Sequence, residues 1–332
     1  MRLNLVYSKK LLYLCTLFCD TMRKSVWIAA LLGVVTTGYA QQIELLPYGN
    51  FDTWAVRFIT ESDFLGGKTK ALYMIAPTDT VYGIQYTRCK NSPWSSGNAL
   101  AQAMGITKVS VSVVPEKREN GYCCRMETRL DTIHAGTIHM NALVTGSIYT
   151  GILADPVTLA HSSDPNSAIN MGVPFTKRPK ALVLDYKAVI KNGTIIKAAA
   201  SRRVKKMEGK DAGQITLVLQ YRWEEKGHIY AYRVGTATEY IRTSTNGWVN
   251  AHRVPVVYGE LPQGADQPWS MLCDNRFKAR NSKGKMVCIE EVGWRSDLQP
   301  THMIIQVSSG CQQPFTGCPG NTVWVDNIGL EY

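Results

Sequence analysis

The last segment of the chain alternates between apolar and polar side chains. From Thr322 onward the residues fall into two interleaved sets, and the more apolar set contains aromatic and aliphatic side chains. Its members are Trp324, Asp326, Ile328, Leu330 and Tyr332. A period of two is typical of a β-strand with one buried face. We therefore predict a final strand that belongs to a sheet, with this set facing the core.

Asp326 is the charged member of this apolar set. An ionised carboxylate is costly to bury unless a cation or several hydrogen-bond donors meet it. One interpretation is a hydrogen-bonded or arginine-paired aspartate. The alternative is a ligand of a structural calcium ion, because Ca²⁺ binds carboxylate and backbone oxygens. Asp52, close to the first aromatic residues of the fold, is the second candidate ligand, and the sequence indicates no required cofactor.

The same alternation recurs along most of the chain. It is clearest over 108–114, 181–190 and 214–223, and turns rich in Gly, Pro, Asn and Asp separate such segments. The sequence has no long amphipathic helix and no regular succession of strand and helix. This pattern predicts an all-β protein whose fold is an antiparallel β-sandwich of jelly-roll type.

Two segments depart from the alternating pattern. Residues 98–104 are compatible with a short helix, which Asn98 would cap. Residues 198–210 are strongly basic and lie between two predicted strands. We interpret them as a long exposed hairpin loop, with an anion-binding site as the alternative.

The first forty residues have the composition of a leader. Basic residues just after Met22 precede an apolar run over 26–35, and small residues around Ala40 suit a signal peptidase. We interpret 1–40 as a leader that includes a secretory signal peptide, with Met22 as the true start and cleavage after Ala40. The apolar run is too short to anchor the chain across a bilayer.

The remaining chain, 41–332, is expected to be exported to the periplasm, the cell surface or the medium. It has no internal repeat and no low-complexity linker, so we predict one domain and no transmembrane helix. The formal net charge of the whole chain is +11, and that of 41–332 is +7, because the leader contains five basic residues and one acidic residue. In an exported protein this excess does not indicate nucleic acid, and it is compatible with an acidic polymer or with solubility alone. The sequence defines no oligomeric state.

Export changes the interpretation of the cysteines, because thiols can oxidise outside the cytoplasm. Cys311 and Cys318 bracket a tight loop rich in Pro and Gly and are the first predicted disulfide. Cys273 with Cys288 is the second. The cysteines lack the spacing of a zinc site, so a metal–thiolate centre is not expected.

Several blocks of sequence, taken in order, resemble a known family. The blocks are Gly172-Val173-Pro174-Phe175 with Arg178-Pro179, the segment 248–258, and Ser308-Ser309 through Phe315-Thr316-Gly317 to Val325-Asp326. With the opening Phe51-Asp52-Thr53-Trp54, they resemble the bacterial family called the putative carbohydrate metabolism domain, over most of 49–332. The resemblance implies a β-jelly-roll fold, export and a role in glycan handling, and it implies no catalytic residue.

Glycan binding requires flat aromatic surface beside polar groups on a concave face. Trp94 and Trp269 lie in turn-rich segments and are the candidate exposed platforms, with plugging of a sandwich edge as the alternative. Arg178 is a candidate ligand residue or a structural clamp that pairs with a carboxylate. Tryptophans in or at the start of alternating segments are predicted to lie in the core, and these are Trp54, Trp223, Trp248 and Trp324.

Three functions fit these features. The first is an exported carbohydrate-binding or glycan-processing accessory protein that acts on an extracellular polysaccharide. The second is a glycoside hydrolase on the same fold, which needs two carboxylates on one face, and the adjacent Glu290 and Glu291 point to opposite faces of a strand. The third is a structural or adhesive surface protein without a sugar site. The sequence leaves open whether the protein is an enzyme, and the expected partner is a glycan rather than nucleic acid.

Overall fold

Short and medium β-strands make up nearly all of the regular structure. The computed structural model describes residues 42–135, 138–161, 164–266 and 277–332. In the first half the strands are β1 (Ile43–Leu45), β2 (Trp54–Thr60), β3 (Thr69–Ile75), β4 (Asp79–Tyr82), β5 (Trp94–Ser96), β6 (Ala99–Ala103), β7 (Ile106–Ser110), β8 (Val113–Arg118), β9 (Gly121–Glu127), β10 (Arg129–Ala135), β11 (Ile138–Val144), β12 (Ser147–Leu153), β13 (Val157–Thr158), β14 (Ile169–Met171) and β15 (Val173–Pro174).

The second half contains the longest strands. They are β16 (Ala181–Val189), β17 (Ile195–Lys197), β18 (Lys205–Met207), β19 (Gly213–Glu225), β20 (His228–Ile241), β21 (Val249–Pro255), β22 (Val257–Tyr258), β23 (Lys278–Arg280), β24 (Met286–Trp294), β25 (His302–Ser308), β26 (Thr316–Gly317) and β27 (Thr322–Glu331). Short 3-10 helices cover Asp63–Leu65, Leu159–His161 and Pro165–Ala168. Within the described ranges, no helix is long and apolar enough to cross a membrane.

Two large sheets form a sandwich. The first sheet has the strand order β21-β16-β27-β9-β8, with β1 added to β27. The second has the order β14-β12-β25-β19-β20-β24-β23, with β5, β15 and β22 added to its strands. Smaller sheets of two or three strands border them. The predicted all-β sandwich is confirmed.

One hydrophobic cluster joins the facing surfaces of the two sheets. Leu182 and Leu184 of β16 enter it from the first sheet, and Ile215 and Leu217 of β19 enter it from the second. All four side chains are fully buried, and burying each contributes about 1.5–3 kcal/mol. The alternation of these two strands was predicted from sequence, and it places every second side chain in the core.

The sheets are mixed rather than purely antiparallel. Strands β20 and β24 run parallel, as do β2 with β4 and β6 with β13. Most of the other pairs are antiparallel, including the long hairpin of β19 and β20. The predicted hairpin in 198–210 is present as well, since exposed β18 pairs with β17.

The final strand is present, and its predicted inward face is confirmed for Ile328, Leu330 and Tyr332 but was wrong for Trp324 and Asp326. Val323 and Val325 are buried in the core, as are Ile328 and Leu330, whereas Trp324 is only half-buried. The pairing of β27 with β16 shifts register at this level, and Asn327 has a φ of 51°. This β-bulge adds one residue to β27 and exchanges the two faces of the strand.

The segment predicted as a helix over 98–104 is a hairpin. Strand β6 pairs with β7, and the turn between them has positive φ at Met104 (48°) and Gly105 (77°). Two such residues are typical of the tight turn that suits a β-hairpin. Asn98 caps no helix, and its side-chain oxygen instead accepts hydrogen bonds from the N–H groups of Ser112 and Val113, each at 2.9 Å.

Candidate functional site

A pair of carboxylates lies on the outward face of the first sheet, which is the face turned away from the core. Asp185 of β16 stands directly opposite Asp326 of β27. Both residues are almost fully buried, at 8% and 7% exposure. Alternation along β16 directs Leu184 to the core and therefore Asp185 outward. On β27, the residue before the bulge faces the same way.

Two bulges border Asp185, one on each neighbouring strand. The pairing of β16 with β21 shifts register beyond Leu184, as its pairing with β27 does before Asp185. In β21 the irregularity includes Ala251, whose φ is 49° and whose N–H donates to Asp185 Oδ1 at 2.7 Å. Bulges are enriched next to active sites, where they redirect backbone groups and side chains. Here the bulge in β21 brings the Ala251 N–H to Asp185, and the bulge in β27 turns the Asp326 carboxylate outward.

Arg118, the last residue of β8, bridges the two carboxylates. Its Nη1 donates to Asp185 Oδ2 at 2.8 Å and to Asp326 Oδ2 at 2.9 Å. Its Nη2 donates to Asn250 Oδ1 at 2.8 Å. A single guanidinium therefore lies between the two carboxyl groups and connects β8 to three other strands of the sheet.

The surroundings shift the pKa values of the two carboxyls in opposite directions. Burial raises the pKa of Asp326 to about 6, although the N–H of Asn327 and the Arg118 guanidinium oppose it. Burial also acts to raise the pKa of Asp185, but hydrogen bonds from Ala251, Asn327 and Arg118 outweigh it and lower the value. Asp185 is therefore ionised at neutral pH, whereas the pKa of Asp326, about 6, lies only slightly below neutral pH. Such a division is typical of carboxyl pairs with separate chemical roles.

Two half-buried indoles flank the pair. The guanidinium carbon of Arg118 lies 3.9 Å from the ring centroid of Trp248. The ammonium of Lys187 lies 4.2 Å from the ring centroid of Trp324 and 5.7 Å from that of Trp248. Trp324 was predicted to lie in the core and Trp248 to start a core strand. Both predictions were wrong, since the bulged strands direct these indoles to the outward face.

A cleft of about 400 Å³ adjoins Asp326. Asp52 lines it and accepts hydrogen bonds from the Tyr122 N–H at 3.0 Å and the Asn50 amide at 2.8 Å. Gly121 also lines it, and a Cβ there would lie 2.0 Å from Asp52 Oδ1. The glycine is therefore required for this close approach. The cleft presents carboxylate and amide groups to solvent.

The structure places Asp326 and Asp52, the candidate calcium ligands, on the same cleft. Asp326 already has a cation partner in Arg118, as the arginine-paired interpretation expected. In the part of the chain that the structure describes, no group of three or more His, Cys, Asp or Glu side chains is arranged to hold a metal ion. Calcium at this place stays a prediction.

Trp94 is not an exposed platform, so this prediction was wrong. It is 3% exposed, its indole N–H donates to the Pro47 carbonyl at 2.9 Å, and its ring packs 5.9 Å from that of Phe51. It plugs the sandwich, as the alternative interpretation stated. Trp269, the second candidate, lies outside the described residues.

Arg178 acts as a clamp, with carbonyl partners instead of the expected carboxylate. Its guanidinium donates to the carbonyls of Ser296 and Leu298, both at 2.7 Å, and lies 4.2 Å from the ring centroid of Tyr258. These contacts fix the loop after β24. They support the structural-clamp interpretation, and a ligand role for Arg178 stays a prediction.

The thiols of Cys311 and Cys318 do not form the predicted disulfide in the structure. Their sulfur atoms contact different partners, Asp211 Oδ1 at 3.6 Å and the Lys191 carbonyl at 3.6 Å. Asp211 closes the loop instead, because it accepts hydrogen bonds from the N–H groups of both cysteines, at 3.0 and 2.8 Å. Cys288 is also a free thiol, and Cys273 lies outside the described residues.

Sequence reasoning missed Arg118, Asp185 and Lys187. The sequence gives no sign that Asp185 and Asp326 are neighbours, because they are far apart in the chain and only the strand register brings them together. The alternation of β16 contained one usable signal: Asp185 and Lys187 interrupt an otherwise apolar strand at outward positions. Two charged residues on one face of a buried strand indicate a polar site on that face.

These observations define a class of protein, namely a β-sandwich with a polar site on the outward face of one sheet, bordered by two tryptophan side chains. The family model described as "Putative carbohydrate metabolism domain" matches residues 61–331, and the chain belongs to that family. It is thus a member of a carbohydrate-related family, and the resemblance identified from sequence is confirmed. No curated protein matches the chain.

Two solved structures are similar to this chain. One, titled as a putative glycoside hydrolase from Bacteroides thetaiotaomicron VPI-5482, has a TM-score of 0.47 and 17% identity, over 84% of this chain and 72% of that chain. The other, titled as a putative glycoside hydrolase from Bacteroides vulgatus ATCC 8482, has a TM-score of 0.41 and 15% identity, over 87% of this chain and 94% of that chain.

Proposed function

We propose that this protein is an exported glycan-binding or glycan-processing accessory protein that acts on an extracellular polysaccharide. The proposed sugar site is the outward face of the first sheet around Asp185 and Asp326. The observation that carries this proposal is the arginine-bridged carboxylate pair between two half-buried indoles. Membership of a carbohydrate-related family supports it.

The chemistry of this face matches that of a sugar. Hydroxyl groups pair well with carboxylates and guanidinium groups, which accept and donate hydrogen bonds in fixed directions. The C–H face of a pyranose ring packs on flat aromatic surface. Asp185, Asp326 and Arg118 supply the first kind of contact, while Trp248 and Trp324 supply the second. The adjoining cleft has room for a further sugar unit.

Binding to immobilised polysaccharides tests this proposal. We expect Trp248→Ala and Trp324→Ala each to weaken retention about tenfold, which corresponds to about 1.4 kcal/mol. Trp223→Ala is the matched control, because Trp223 is also half-buried but packs against Tyr230 and Tyr232 on the second sheet. Absence of retention on every polysaccharide would contradict the proposal and favour a structural or adhesive role. Equal losses in all three variants would contradict the assignment of the site.

Hydrolysis is the second candidate function, and the divided pKa values of the pair favour it. One oxygen of Asp185 and one of Asp326 both lie within hydrogen-bond distance of Arg118 Nη1. The two carboxyl groups are therefore closer together than the separation of about 6.5–9.5 Å that an inverting hydrolase needs. The arrangement therefore suits only a retaining reaction, with ionised Asp185 as nucleophile and Asp326 as acid and base. Arg118 lies between them and would have to move.

Release of reducing ends separates hydrolysis from binding. A retaining hydrolase would lose activity in Asp185→Asn while it still bound the polysaccharide, and its first product would keep the anomeric configuration of the substrate. If the wild-type protein binds a polysaccharide and releases no reducing ends from it, the hydrolase candidate is excluded for that substrate and the binding function stands.

A further inference from the structure

Lys187 has a different environment from the two arginines near the same indoles. It lies on β16 two residues after Asp185 and directly opposite Trp324 of β27. Its side chain is half-buried, and its ammonium contacts the faces of Trp324 and Trp248 at 4.2 and 5.7 Å. Lys187 forms no ion pair with any residue in the described ranges.

The neighbouring cations, in contrast, already have carboxylate partners. Arg118 is bound by Asp185 and Asp326. Arg125, whose guanidinium lies 5.9 Å from the Trp324 centroid, pairs with Glu127 at 2.7 Å and Glu116 at 3.5 Å. Of these three cations, Lys187 is the one that forms no ion pair with a described residue.

The Lys187 ammonium lies between two indoles and has therefore lost part of its hydration shell. The contacts that replace this water are the faces of aromatic rings. It carries three N–H donors, and aromatic faces attract the charge without offering lone pairs as hydrogen-bond acceptors. A ligand anion at this position would supply the missing acceptors. The indoles on both sides would pack against the apolar face of the ring that carries the anion. The net positive charge of the chain would also favour approach of an anionic polymer.

We propose that the sugar bound at this site carries a negatively charged substituent, a uronate carboxylate or a sulfate ester, and that Lys187 binds it. This inference rests on the proposed glycan-binding function and adds the class of glycan. Asp185, Asp326 and Arg118 then contact neutral hydroxyl groups. Lys187 selects acidic over neutral sugars.

Binding of polygalacturonate, its fully methyl-esterified form and dextran sulfate tests this inference. The ester keeps the sugar ring and linkage but removes the charge, so it is the matched neutral ligand. We expect Lys187→Met to weaken binding of the preferred acidic polymer at least tenfold and to change binding of the methyl ester less than twofold. Lys187→Arg should retain most of the affinity, which would show that the charge matters and that the fold tolerates substitution. Comparison of polygalacturonate with dextran sulfate identifies the anion.

Lys206→Met is the control for general charge attraction, because Lys206 is exposed on the basic β17–β18 hairpin. If it weakens binding as much as Lys187→Met, the polymer is attracted by the overall charge and the inference is wrong. The inference is also wrong if a neutral polysaccharide binds through Trp248 and Trp324 and neither acidic polymer binds better. That result would leave the proposed function intact. Failure of every polymer, acidic or neutral, would instead contradict both.

Discussion

Asp185 and Asp326 face each other across two hydrogen-bonded strands and share one nitrogen of Arg118. Two carboxylates at this distance repel each other unless a cation lies between them. The arginine therefore determines whether the outward face of the first sheet is stable as well as what it can bind.

Replacing Arg118 by Met should destabilise the fold by about 3 kcal/mol, because removing one partner of a buried ion pair leaves uncompensated charge. Urea unfolding measures this change. Arg295→Met is the control, since Arg295 pairs with Asp297 in an exposed position and should lose little. Asp326→Asn in the Arg118→Met background should restore part of the stability. Equal losses of stability in Arg118→Met and Arg295→Met would show that the Arg118 bridge stabilises the fold no more than an exposed ion pair does.

The opposite pKa shifts predict opposite pH dependences. The folded pKa of Asp326 is raised from 3.8 to about 6, so between these values the folded state binds more protons than the unfolded state. Its contribution to stability is therefore present below about pH 4 and is lost as the pH rises through about 6. The stability difference between wild type and Asp326→Asn should fall over this window and stay level above pH 7.

Asp185 should behave in the opposite way. Its folded pKa is lowered from 3.8, so its contribution is present above the unfolded pKa and disappears as the solution is acidified below it. The advantage of wild type over Asp185→Asn should thus shrink only below about pH 4. Carboxyl NMR titrations of the wild-type protein check both assignments directly. A midpoint for Asp326 near 4 would overturn them.

A double-mutant cycle at Gly121 and Asp52 tests the geometry of the cleft. A Cβ at Gly121 would meet Asp52 Oδ1, so Gly121→Ala should cost about 0.5–1.5 kcal/mol through loss of the exposed hydrogen bond from the Tyr122 N–H. In an Asp52→Ala background the same change should cost much less, because the clashing oxygen is absent. Additive effects in urea unfolding would mean that the two positions do not touch.

The two tryptophans that sequence analysis treated differently should also respond differently. Trp94→Ala should destabilise the fold by about 3 kcal/mol, because it opens a cavity beneath Phe51. Trp248→Ala should cost clearly less, because its ring is half-exposed. Melting of the two variants measures this contrast, and an equal loss would indicate that Trp248 belongs to the core.

The state of Cys311 and Cys318 can be determined by mass spectrometry of the unfolded, unreduced protein. We expect both thiols to be alkylated, because Asp211 holds the loop without a disulfide. In the folded protein Cys311 should react slowly at pH 8, since burial raises its pKa to about 11 and leaves little thiolate. A mass two hydrogens lower, with no alkylation of either residue, would restore the disulfide predicted from sequence.

Sequence periodicity predicted the sandwich because strands that line a core must alternate, as Ile215 and Leu217 do. It failed for 98–104, where a hairpin turn at Met104 and Gly105 overrides the local helix preference of an alanine-rich segment. It failed for the first half of β27, because an alternating sequence offers two sets and a bulge before Ile328 changes which set is buried. The candidate site was beyond its reach, since Asp185 and Asp326 meet only through strand register.

Val325 and Ile328 are three residues apart and both face the core, which β27 achieves only through its extra residue. If β27 paired with β16 without the bulge, one half of the strand would turn its apolar side chains to solvent. Deleting Asn327 would instead leave an evenly alternating strand with the same inward residues. Relatives that share this surface should therefore have either the bulge or one residue fewer between Asp326 and Ile328.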